Sequence, residues 1–479
     1  MVLSEFIATP KSYDSNTFTF LNRSVSFSKE IDWDYMDNGK LWAYNLNYFD
    51  YLNQQNMTAE IGALIIYNFI DQLQNLQNAI EPYPTSLRGM NWIKFLSVNK
   101  IERKSFDRFL FGQYRILLDN IEYHLLGNHL LENGCSLLFG GYYFNGKELY
   151  DKGKEIITAE LKEQILDDGS HFELSPMYHK IILNRLLDCL NLVENNKEIY
   201  CDEKFSDFLR TETVKMLGWL ETVTFSDGTT PRVNDSTEGI SATSKELFDY
   251  ANRLELVWEA QELTESGYRL FKQKEIELFV DYGAIGAGYI SGHAHSDTFS
   301  FILNKGGTSL IVDPGISTYD IGYNRQKERS TSSHNTVRYG EVDQSEIWGG
   351  FRVGRRAKAK INFENDNEIK GFHDGYKRFG VYHQRHFKID NDKVVIKDLV
   401  YPENKIFGGS KAYFHFHPDV DVFLKETSIE LNGAIIKFDG NLGINLKEYN
   451  YAVGYNHLVK AKMIEVEFKD ALTTLIELN

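Results

Sequence analysis

The sequence has little cysteine, no long apolar run and an excess of acidic over basic side chains. Its three cysteines, Cys135, Cys189 and Cys201, lie far apart and form no CxxC pair, which argues against a disulfide framework and against a cysteine-bound zinc. No apolar stretch reaches the length of a membrane span, and the first residues lack the basic and apolar segments of a signal peptide. The sequence as it stands predicts a soluble cytoplasmic protein, or a protein of the cell envelope or periplasm if a leader was removed.

The charge balance also narrows the possible partners. The formal net charge is −16, from 52 Lys and Arg and 68 Asp and Glu, which argues against a general nucleic-acid-binding protein. Two segments are nevertheless basic, since residues 88–115 carry seven Lys or Arg against two acids and residues 321–360 carry nine against four. These segments could hold an anionic ligand, although solvent-exposed helix and strand faces also explain individual charges.

Helical periodicity dominates the first half of the chain. A length of 479 residues is too great for one ordinary core and predicts two or three domains. Apolar side chains first recur with helical spacing at about 58–76, where Ile61, Leu64, Ile65 and Phe69 share one face. Further helices with short polar connections are predicted at about 105–126, 128–137, 155–166, 176–195, 205–223 and 244–260. This succession favours a closed toroid of paired helices.

From about residue 275 the pattern changes to short β-rich segments separated by Gly, Asn and Asp. Such spacing is typical of an antiparallel sandwich with many strands. The sequence therefore predicts a multidomain α and β protein, with the helical toroid over residues 1–265 and the β-sandwich over residues 266–479.

The stretch from Ser291 to Gly340 concentrates candidate metal ligands. His293 and His295 are two residues apart, so in a strand their side chains would lie on the same face. Asp313 follows in a strand-like run, and His334 comes after it. Neutral imidazoles and a carboxylate suit zinc, which is normally four-coordinate. Spacing alone also allows scattered polar residues on β-turns.

The helical half carries two further polar stretches. Asn128, His129 and Glu132 fall within one helical turn, where Asn128 could instead serve as the helix cap. In the second stretch Ser175 suits an N-cap, which places Tyr178 in the first turn of a helix. Helix-end amides and nearby cations can lower the pKa of a phenol there, although a lone tyrosine in a helix is more often part of the core.

Together and in this order, these stretches resemble the motifs of the heparinase II/III-like polysaccharide lyases, a family that includes heparinase III and the alginate and oligoalginate lyases. The resemblance implies an incomplete (α/α) toroid followed by an antiparallel β-sandwich over nearly the whole chain. The matching motifs are Gly127-Asn128-His129-x-x-Glu132-Asn133, Ser175-Pro176-x-Tyr178-His179, Gly292-His293-x-His295-x-Asp297, Val312-Asp313-Pro314-Gly315 and Ser333-His334-Asn335-Thr336.

The resemblance implies a β-elimination on a uronic-acid-containing poly- or oligosaccharide. The C6 carboxylate is neutralised, a base removes the C5 proton, and an acid protonates the leaving 4-O-glycosidic oxygen. Asn128, helped by His129, would hydrogen-bond the carboxyl group, and Tyr178 and His293 would serve as base and acid. Tyr178 could play both parts for one C5 stereochemistry, with His293 required for the other.

The same resemblance implies roles for several other residues. Tyr319 or Tyr323 could supply an alternative acid, and Tyr319, His129 and Glu132 would contact the substrate. Arg88 would clamp a substrate carboxylate, because arginine forms bidentate pairs with carboxylate and sulfate, although a structural ion pair would explain it equally well.

A metal site is also implied by the resemblance. His295, Asp313 and His334 would bind a zinc ion with a structural role. The ion would fix the segment that carries His293, so that His293 is catalytic while its neighbour in the motif is a ligand.

The expected partner is an acidic poly- or oligosaccharide. Heparan-like, alginate-like, hyaluronan-like and capsular chains are all possible substrates. Three other functions remain alternatives. A glycoside hydrolase would need two carboxylates about 5–10 Å apart, for which Glu132, Asp168 and Glu173 are candidates. A metal-dependent hydrolase would use the His and Asp cluster with an open zinc position. A non-catalytic polysaccharide-binding protein of capsule or exopolysaccharide metabolism would keep an aromatic groove and lose the base.

Overall fold

The computed structural model describes residues 1–76, 78–402, 409–426 and 428–478 of the chain. A small antiparallel sheet comes first, and helices then dominate the described chain as far as residue 253. The strands of the small sheet are β1 (Tyr13–Asp14), β2 (Thr17–Phe20) and β3 (Arg23–Ser26). The helices are α1 (Lys40–Tyr48), α2 (Ala59–Gln72), α3 (Pro82–Val98), α4 (Lys104–Asp119), α5 (Gly127–Phe144), α6 (Lys147–Gln164), α7 (Pro176–Asn195), α8 (Glu203–Val223) and α9 (Ser244–Arg253).

Local signals start two of these helices. The Thr58 hydroxyl accepts a hydrogen bond from the backbone N–H of Ile61 at 3.2 Å and so caps α2. Pro82 occupies the first position of α3, where its missing N–H costs no helical hydrogen bond. At the start of α2 the Thr58 side chain satisfies an unpaired backbone N–H, and at the start of α3 Pro82 has no such N–H.

A glycine decides which face of α2 is buried. A Cβ on Gly62 would lie 2.3 Å from Cζ of Phe95 in α3, so only glycine allows this close approach. Ile65 and Phe69 are buried, as the helical spacing predicts, but Leu64 is 68% exposed. Ile61 is also 40% exposed, so the predicted face is wrong at Ile61 and Leu64, because the close contact at Gly62 presents another side of the helix to α3.

Strands dominate the described chain after α9. They are β4 (Tyr268–Gln273), β5 (Ile276–Asp281), β6 (Phe301–Lys305), β7 (Thr308–Ile311), β8 (Val337–Tyr339), β9 (Glu346–Trp348), β10 (Arg352–Gly354), β11 (Ala359–Asn365), β12 (Glu368–His373), β13 (Val381–Asp390), β14 (Lys393–Pro402), β15 (Ser410–His415), β16 (Val422–Leu424), β17 (Ser428–Leu431), β18 (Ala434–Gly454) and β19 (His457–Leu478). A short helix, α10 (Tyr323–Glu328), lies between β7 and β8.

The strands form two main antiparallel sheets. One has the order β4-β5-β6-β7, and the other runs β11-β12-β13-β14-β19-β18-β17-β16, with β15 pairing with β19 and β8. Buried side chains of both sheets, such as Val280 and Phe301 from the first and Phe387, Phe414 and Ile464 from the second, form one hydrophobic core. The predicted antiparallel β-sandwich is therefore confirmed. Within the described residues, β9 and β10 pair only with each other.

The chain divides into two compact units. The first contains Met1–Ile165, Lys180–Leu217 and Lys245–Glu259, and the second contains Leu166–His179, Gly218–Ser244 and Ala260–Asn479. The predicted boundary near residue 265 falls between α9 and β4, but the second unit also includes two segments from the predicted helical half. These segments belong there because Leu174, Trp219 and Phe225 pack with Tyr268 and Phe279 in one apolar cluster.

Among the described residues, no helix is long and apolar enough to cross a membrane.

Candidate active site

Tyr178 lies in the first turn of α7, at a position fixed by Ser175. The Ser175 hydroxyl accepts a hydrogen bond from the Tyr178 N–H at 3.3 Å and donates one to the backbone oxygen of Asp235 at 2.8 Å, which confirms the predicted N-cap. The buried Tyr178 ring packs on the His293 ring, with centroids 4.1 Å apart. The structure therefore brings together the two residues predicted to act as base and acid.

Burial controls the proton affinity of Tyr178. Loss of hydration raises the pKa of the phenol well above its usual value, and a 3.2 Å hydrogen bond with the Tyr319 hydroxyl offsets this only in part. The expected lowering of this pKa by the helix end is wrong, because desolvation of the buried ring outweighs the helix dipole. Tyr178 is consequently a neutral hydroxyl near neutral pH.

A buried carboxylate holds His293 in place. His293 Nδ1 lies 2.8 Å from Asp235 Oδ2, and His295 Nε2 lies 2.9 Å from Asp235 Oδ1. The Arg325 guanidinium bonds to both oxygens of the same carboxylate, with Nη2 at 2.6 Å from Oδ2. Asp235 thus links His293, which is predicted to be catalytic, to His295, which is predicted to bind metal.

The ionisation of Asp235 determines which nitrogen of His293 is available. Burial acts to raise the pKa of Asp235, but the Arg325 charge and the hydrogen bonds from His293 and His295 outweigh it and hold that pKa well below its usual range. An ionised carboxylate only accepts hydrogen bonds, so His293 Nδ1 carries the proton that it donates. Nε2 of a neutral His293 is then free to accept a proton.

Asp235 was missed by the sequence reasoning, because it lies 58 residues before His293 in a segment without a recognisable motif. Its neighbour Asn234 explains how the two segments meet. The Asn234 side chain accepts from the His295 N–H at 3.0 Å and donates to the Leu174 carbonyl at 2.9 Å. Asn234 thus fixes the backbone of the histidine motif next to the segment that leads into α7.

Tyr319 completes an aromatic cluster around the pair. Its ring lies 5.9 Å from His293 and 5.3 Å from Phe351, and the Arg325 guanidinium sits 5.0 Å above it. Tyr323 is 81% exposed at the start of α10. Of the two tyrosines predicted as alternative acids, Tyr319 is the one that hydrogen-bonds Tyr178.

The predicted metal ligands lie close together in the sandwich unit. His334 Nδ1 is 2.7 Å from Asp313 Oδ2, and the rings of His295 and His334 are 5.2 Å apart. One donor atom each from His295, His334 and Asp297 also lie within 4.8 Å of one another. Asp297 was not among the predicted ligands, although it belongs to the histidine motif.

Three donor atoms of this cluster fit a bound cation. His295 Nδ1, His334 Nε2 and Asp297 Oδ2 are buried without a hydrogen-bond partner within the described residues. Burial lowers the pKa of His295 to about 4, so its imidazole is neutral as a metal ligand requires. Burial also raises the pKa of Asp297 to about 6, a cost that a divalent cation would remove.

Asn128 and His129 lie in the first turn of α5. Leu126, not Asn128, is the N-cap residue, and the Asn128 side chain makes no hydrogen bond within the described residues. His129 is partly exposed, stacks on Tyr83 with centroids 4.2 Å apart, and lies 3.1 Å through Nδ1 from Glu122. The Asn128 side chain is buried and has no hydrogen-bond partner within the described residues, and its role stays a prediction.

Glu132 and Arg88 serve the interior of the helical unit. Glu132 is fully buried and accepts a hydrogen bond from Arg185 at 2.7 Å. Arg88 is also fully buried, and it donates to the Gln113 side chain, the Thr85 hydroxyl and two backbone oxygens. Burial lowers the pKa of Arg88 to about 9. Internal partners occupy the donors of Arg88, which argues against its expected substrate contact. Glu132 Oε1 has no hydrogen-bond partner within the described residues, and the substrate contact of Glu132 stays a prediction.

Two of the carboxylates considered for a hydrolase, Asp168 and Glu173, are buried in the sandwich unit. Asp168 Oδ2 accepts hydrogen bonds from Ser266 N and Oγ at 2.8 and 2.7 Å and from Thr264 N at 3.1 Å. Burial acts to raise the pKa of Asp168, but the bonds from Ser266 outweigh it and lower that pKa. Because its pKa is lowered, Asp168 does not suit proton donation. Glu173 is buried beside His171.

Comparison with known proteins agrees with the fold. The protein-family model described as Heparinase II/III N-terminus matches residues 86–263. The family model described as Heparinase II/III-like, C-terminal matches residues 256–477. Together the fold and the two matched regions define a heparinase II/III-type protein. The chain belongs to the heparinase II/III-like family.

Two curated relatives are heparin-sulfate lyases. The one from Bacteroides stercoris is 25% identical over 257 residues, which are 47% of this chain and 37% of that protein. The one from Pedobacter heparinus is 27% identical over 114 residues, which are 23% of this chain and 17% of that protein. The chain thus spans well under half the length of these relatives.

Solved structures share the fold over most of the chain. A crystal structure of heparinase III matches with a TM-score of 0.70 at 16% identity, covering 95% of this chain and 80% of that chain. A Streptomyces coelicolor chondroitin AC lyase, in complex with chondroitin sulphate, matches with a TM-score of 0.55 at 9% identity, covering 92% and 74%. These likenesses confirm the predicted architecture of a helical toroid followed by a β-sandwich.

Proposed function

We propose that the protein is a polysaccharide lyase that cleaves a uronic-acid-containing polysaccharide by β-elimination. The observation that carries this proposal is the ring contact between Tyr178 and His293, together with the Asp235 carboxylate on His293 Nδ1. A neutral phenol and an imidazole with one free nitrogen are an acid and a base in contact, as the elimination requires.

The raised pKa of Tyr178 supports one division of the acid and base roles. His293 Nε2 takes the C5 proton, and the electron pair of the C5–H bond forms the C4=C5 double bond as the bond from C4 to the glycosidic oxygen breaks. Tyr178, kept protonated by burial, donates its proton to the leaving oxygen. The Tyr319 hydroxyl, 3.2 Å from that of Tyr178, can donate a hydrogen bond to the phenolate that remains, and this phenolate regains a proton from solvent as His293 Nε2 releases one.

The negative charge that develops on the uronate needs a hydrogen-bond donor. In this proposal the Asn128 amide binds the C6 carboxyl group and stabilises the charge as the C5 proton leaves, and His129 supports it. What favours Asn128 is an amide in the first turn of α5 without a hydrogen bond to the described residues.

The proposed cofactor is a structural zinc ion. His295, Asp313 and His334 would hold it, and Asp297, whose Oδ2 has no hydrogen-bond partner within the described residues, provides a fourth candidate donor. Asp313 also accepts a hydrogen bond from His334 Nδ1, which would orient His334 toward the ion. Such an ion would fix the segment that carries His293. It takes no part in the proton transfers described above.

The proposed substrate class is a glycosaminoglycan. Two relatives are heparin-sulfate lyases, and one of the structures with this fold is a chondroitin AC lyase. Heparan sulfate, chondroitin sulfate and hyaluronan are the first substrates to assay, with alginate as the uronate polymer outside this class.

The direct test is the ultraviolet absorbance of the conjugated uronate that only elimination produces. The protein is incubated with each polymer, and the absorbance is compared with the number of new reducing ends. We expect one unsaturated uronate for each cleaved bond. New reducing ends without the chromophore would show hydrolysis and end the lyase proposal.

Tyr178→Phe tests the acid. The variant keeps the ring on His293 and loses only the hydroxyl, so we expect kcat to fall by about 10²–10⁴-fold while substrate binding persists. Kinetics and calorimetric binding with the best substrate measure both quantities. Tyr67→Phe, at a tyrosine outside this cluster, is the matched control, and a wild-type rate for Tyr178→Phe would remove Tyr178 from the mechanism.

A further inference from the structure

A small hairpin borders the catalytic pair. It consists of β9 and β10, and its register pairs Trp348 directly with Arg352. The connecting turn contains Gly349 and Gly350, whose φ angles of 57° and 75° lie in the region that favours glycine. Because directly opposed residues of an antiparallel pair point to the same face, the Trp348 and Arg352 side chains lie next to each other.

Two buried arginines anchor the turn of this hairpin. The Gly350 carbonyl accepts hydrogen bonds from Arg325 Nε at 3.0 Å and from Arg329 Nη1 at 2.7 Å. Arg325 is the residue that also binds the Asp235 carboxylate. The hairpin is therefore held by the same side chain that supports the histidine network.

Phe351 links the hairpin to the reacting groups. Its ring lies 5.9 Å from the His293 ring in an edge-on arrangement and 5.3 Å from the Tyr319 ring. Phe351 is 41% exposed, so one part of its ring contacts the catalytic histidine while another faces solvent. A substrate chain at His293 would pass along this hairpin.

The exposed face of the hairpin presents an indole. Trp348 is 48% exposed, and a Cβ on Gly354 would lie 3.0 Å from its ring atom Cζ3. The absence of a side chain at Gly354 thus lets the indole lie against the neighbouring strand. The indole is therefore half-exposed beside the hairpin.

Arg352 places an uncommitted positive charge beside this ring. Most other arginines of the basic segment 321–360 are engaged, since Arg325 and Arg329 are buried and Arg338 and Arg355 pair with Glu341 and Glu346. The exposed Arg352 side chain makes no hydrogen bond or ion pair within the described residues. Only part of the basic segment is therefore available to an anion.

We propose that Trp348 and Arg352 form a subsite for one anionic pyranose of the substrate chain, next to the residue held at His293. The indole takes the apolar face of the sugar ring, and the guanidinium takes its carboxylate or sulfate, since arginine suits both groups. This inference rests on the proposed function in taking an acidic polysaccharide as the ligand. It adds a position on the enzyme at which the charge of a neighbouring sugar is recognised.

Direct binding tests the subsite independently of turnover. Heparan sulfate and chondroitin sulfate oligosaccharides are titrated into the Tyr178→Phe protein, with and without Trp348→Ala or Arg352→Gln. We expect Trp348→Ala to weaken binding about tenfold, and Arg352→Gln to weaken it about fivefold and to reduce its salt dependence. Phe423→Ala and Arg355→Gln, an exposed aromatic residue and a nearby paired arginine, should bind as the parent does.

Modified ligands identify the recognised group. Desulfated and carboxyl-reduced oligosaccharides are compared on the parent and on Arg352→Gln. The modification that removes the recognised anion should weaken binding to the parent and have no further effect on Arg352→Gln. Equal losses on both proteins for both modifications would show that Arg352 does not contact the anion and would overturn the subsite.

The outcomes separate this inference from the proposed function. If the wild type eliminates a polysaccharide but Trp348→Ala and Arg352→Gln bind and react as their controls do, the subsite is wrong and the lyase stands. If the wild type binds an oligosaccharide without elimination and the two variants lose that binding, the subsite stands and the lyase fails. If the wild type binds none of the oligosaccharides, the subsite is overturned as well.

Discussion

The Asp235 carboxylate divides its two oxygens between two imidazoles. One oxygen accepts from the histidine proposed to act as base and the other from a proposed zinc ligand, while Arg325 bonds to both oxygens. A buried carboxylate in such a position orients the imidazole and selects its tautomer. In the proposed mechanism Asp235 is therefore a positioning residue that acts through His293.

Asp235→Asn should impair catalysis more than binding. The amide keeps the size of the carboxylate but can donate as well as accept, so His293 loses the preference for a proton on Nδ1. We expect kcat to fall by about 10²-fold or more and KM to change little. Steady-state kinetics and the ring ¹⁵N shifts of His293, identified with His293→Gln, measure both effects.

The matched control for this variant is Asp227→Asn, at an exposed aspartate of the same unit. It should leave kcat and the histidine spectrum unchanged. If Asp235→Asn kept the wild-type tautomer and lost activity only through a lower thermal midpoint, Asp235 would be structural and not a positioning residue.

Among the elements, the contact of α2 with α3 depends on one missing side chain. A methyl group on Gly62 would overlap the buried Phe95 ring, so Gly62→Ala should destabilise the protein by about 1–3 kcal/mol. Gly112→Ala is the control, because a Cβ there meets nothing within 4 Å on the exposed face of α4. That change should stabilise by up to about 1 kcal/mol.

Urea unfolding of the two alanine variants measures the difference. Equal free energies of unfolding for Gly62→Ala and the wild type would mean that the Phe95 ring moves aside at no cost. The close approach would then not determine which face of α2 is buried.

The same helix shows how far sequence reasoning reaches at the level of elements. Periodicity gave the existence of α2 and the burial of Ile65 and Phe69, because these depend on local spacing. It did not give the orientation of Leu64, which depends on a glycine meeting a ring from another helix. Spacing within one helix carries no information about such a partner.

The candidate site also contains residues that the sequence could predict and residues that it could not. Tyr178 and His293 were predictable only through the resemblance to the family's motifs, whereas the Ser175 cap was predictable from the local sequence. Asp235 was not, since its role exists only through contacts formed by folding. Arg88 is the opposite case. It was expected to bind a substrate carboxylate, but in the structure it donates to partners in other helices and loops of the unit.

At the scale of the whole molecule, a structural zinc ion should appear as thermal stability. Removal of the ion with a chelator should lower the thermal midpoint, because the buried donors of His295, His334 and Asp297 lose their partner. His295→Ala should lower both the midpoint and the zinc content measured by elemental analysis. The readout does not depend on enzymatic activity.

His457→Ala, at an exposed histidine of the hairpin between β18 and β19, is the control for this experiment. It should keep the wild-type zinc content and midpoint. A chelator-treated protein that unfolds at the wild-type temperature, with His295→Ala no different from His457→Ala, would remove the metal from the proposal.

The β9–β10 hairpin has a consequence for how this family can diversify. Its anchors reach the backbone carbonyl of Gly350, and within the described residues its strands pair with no other strand. Neither constraint depends on which side chains stand at positions 348 and 352. We therefore expect the residues at positions 348 and 352 to vary among members of the family. Such changes would alter which polymer binds and leave the residues of the proposed mechanism in place.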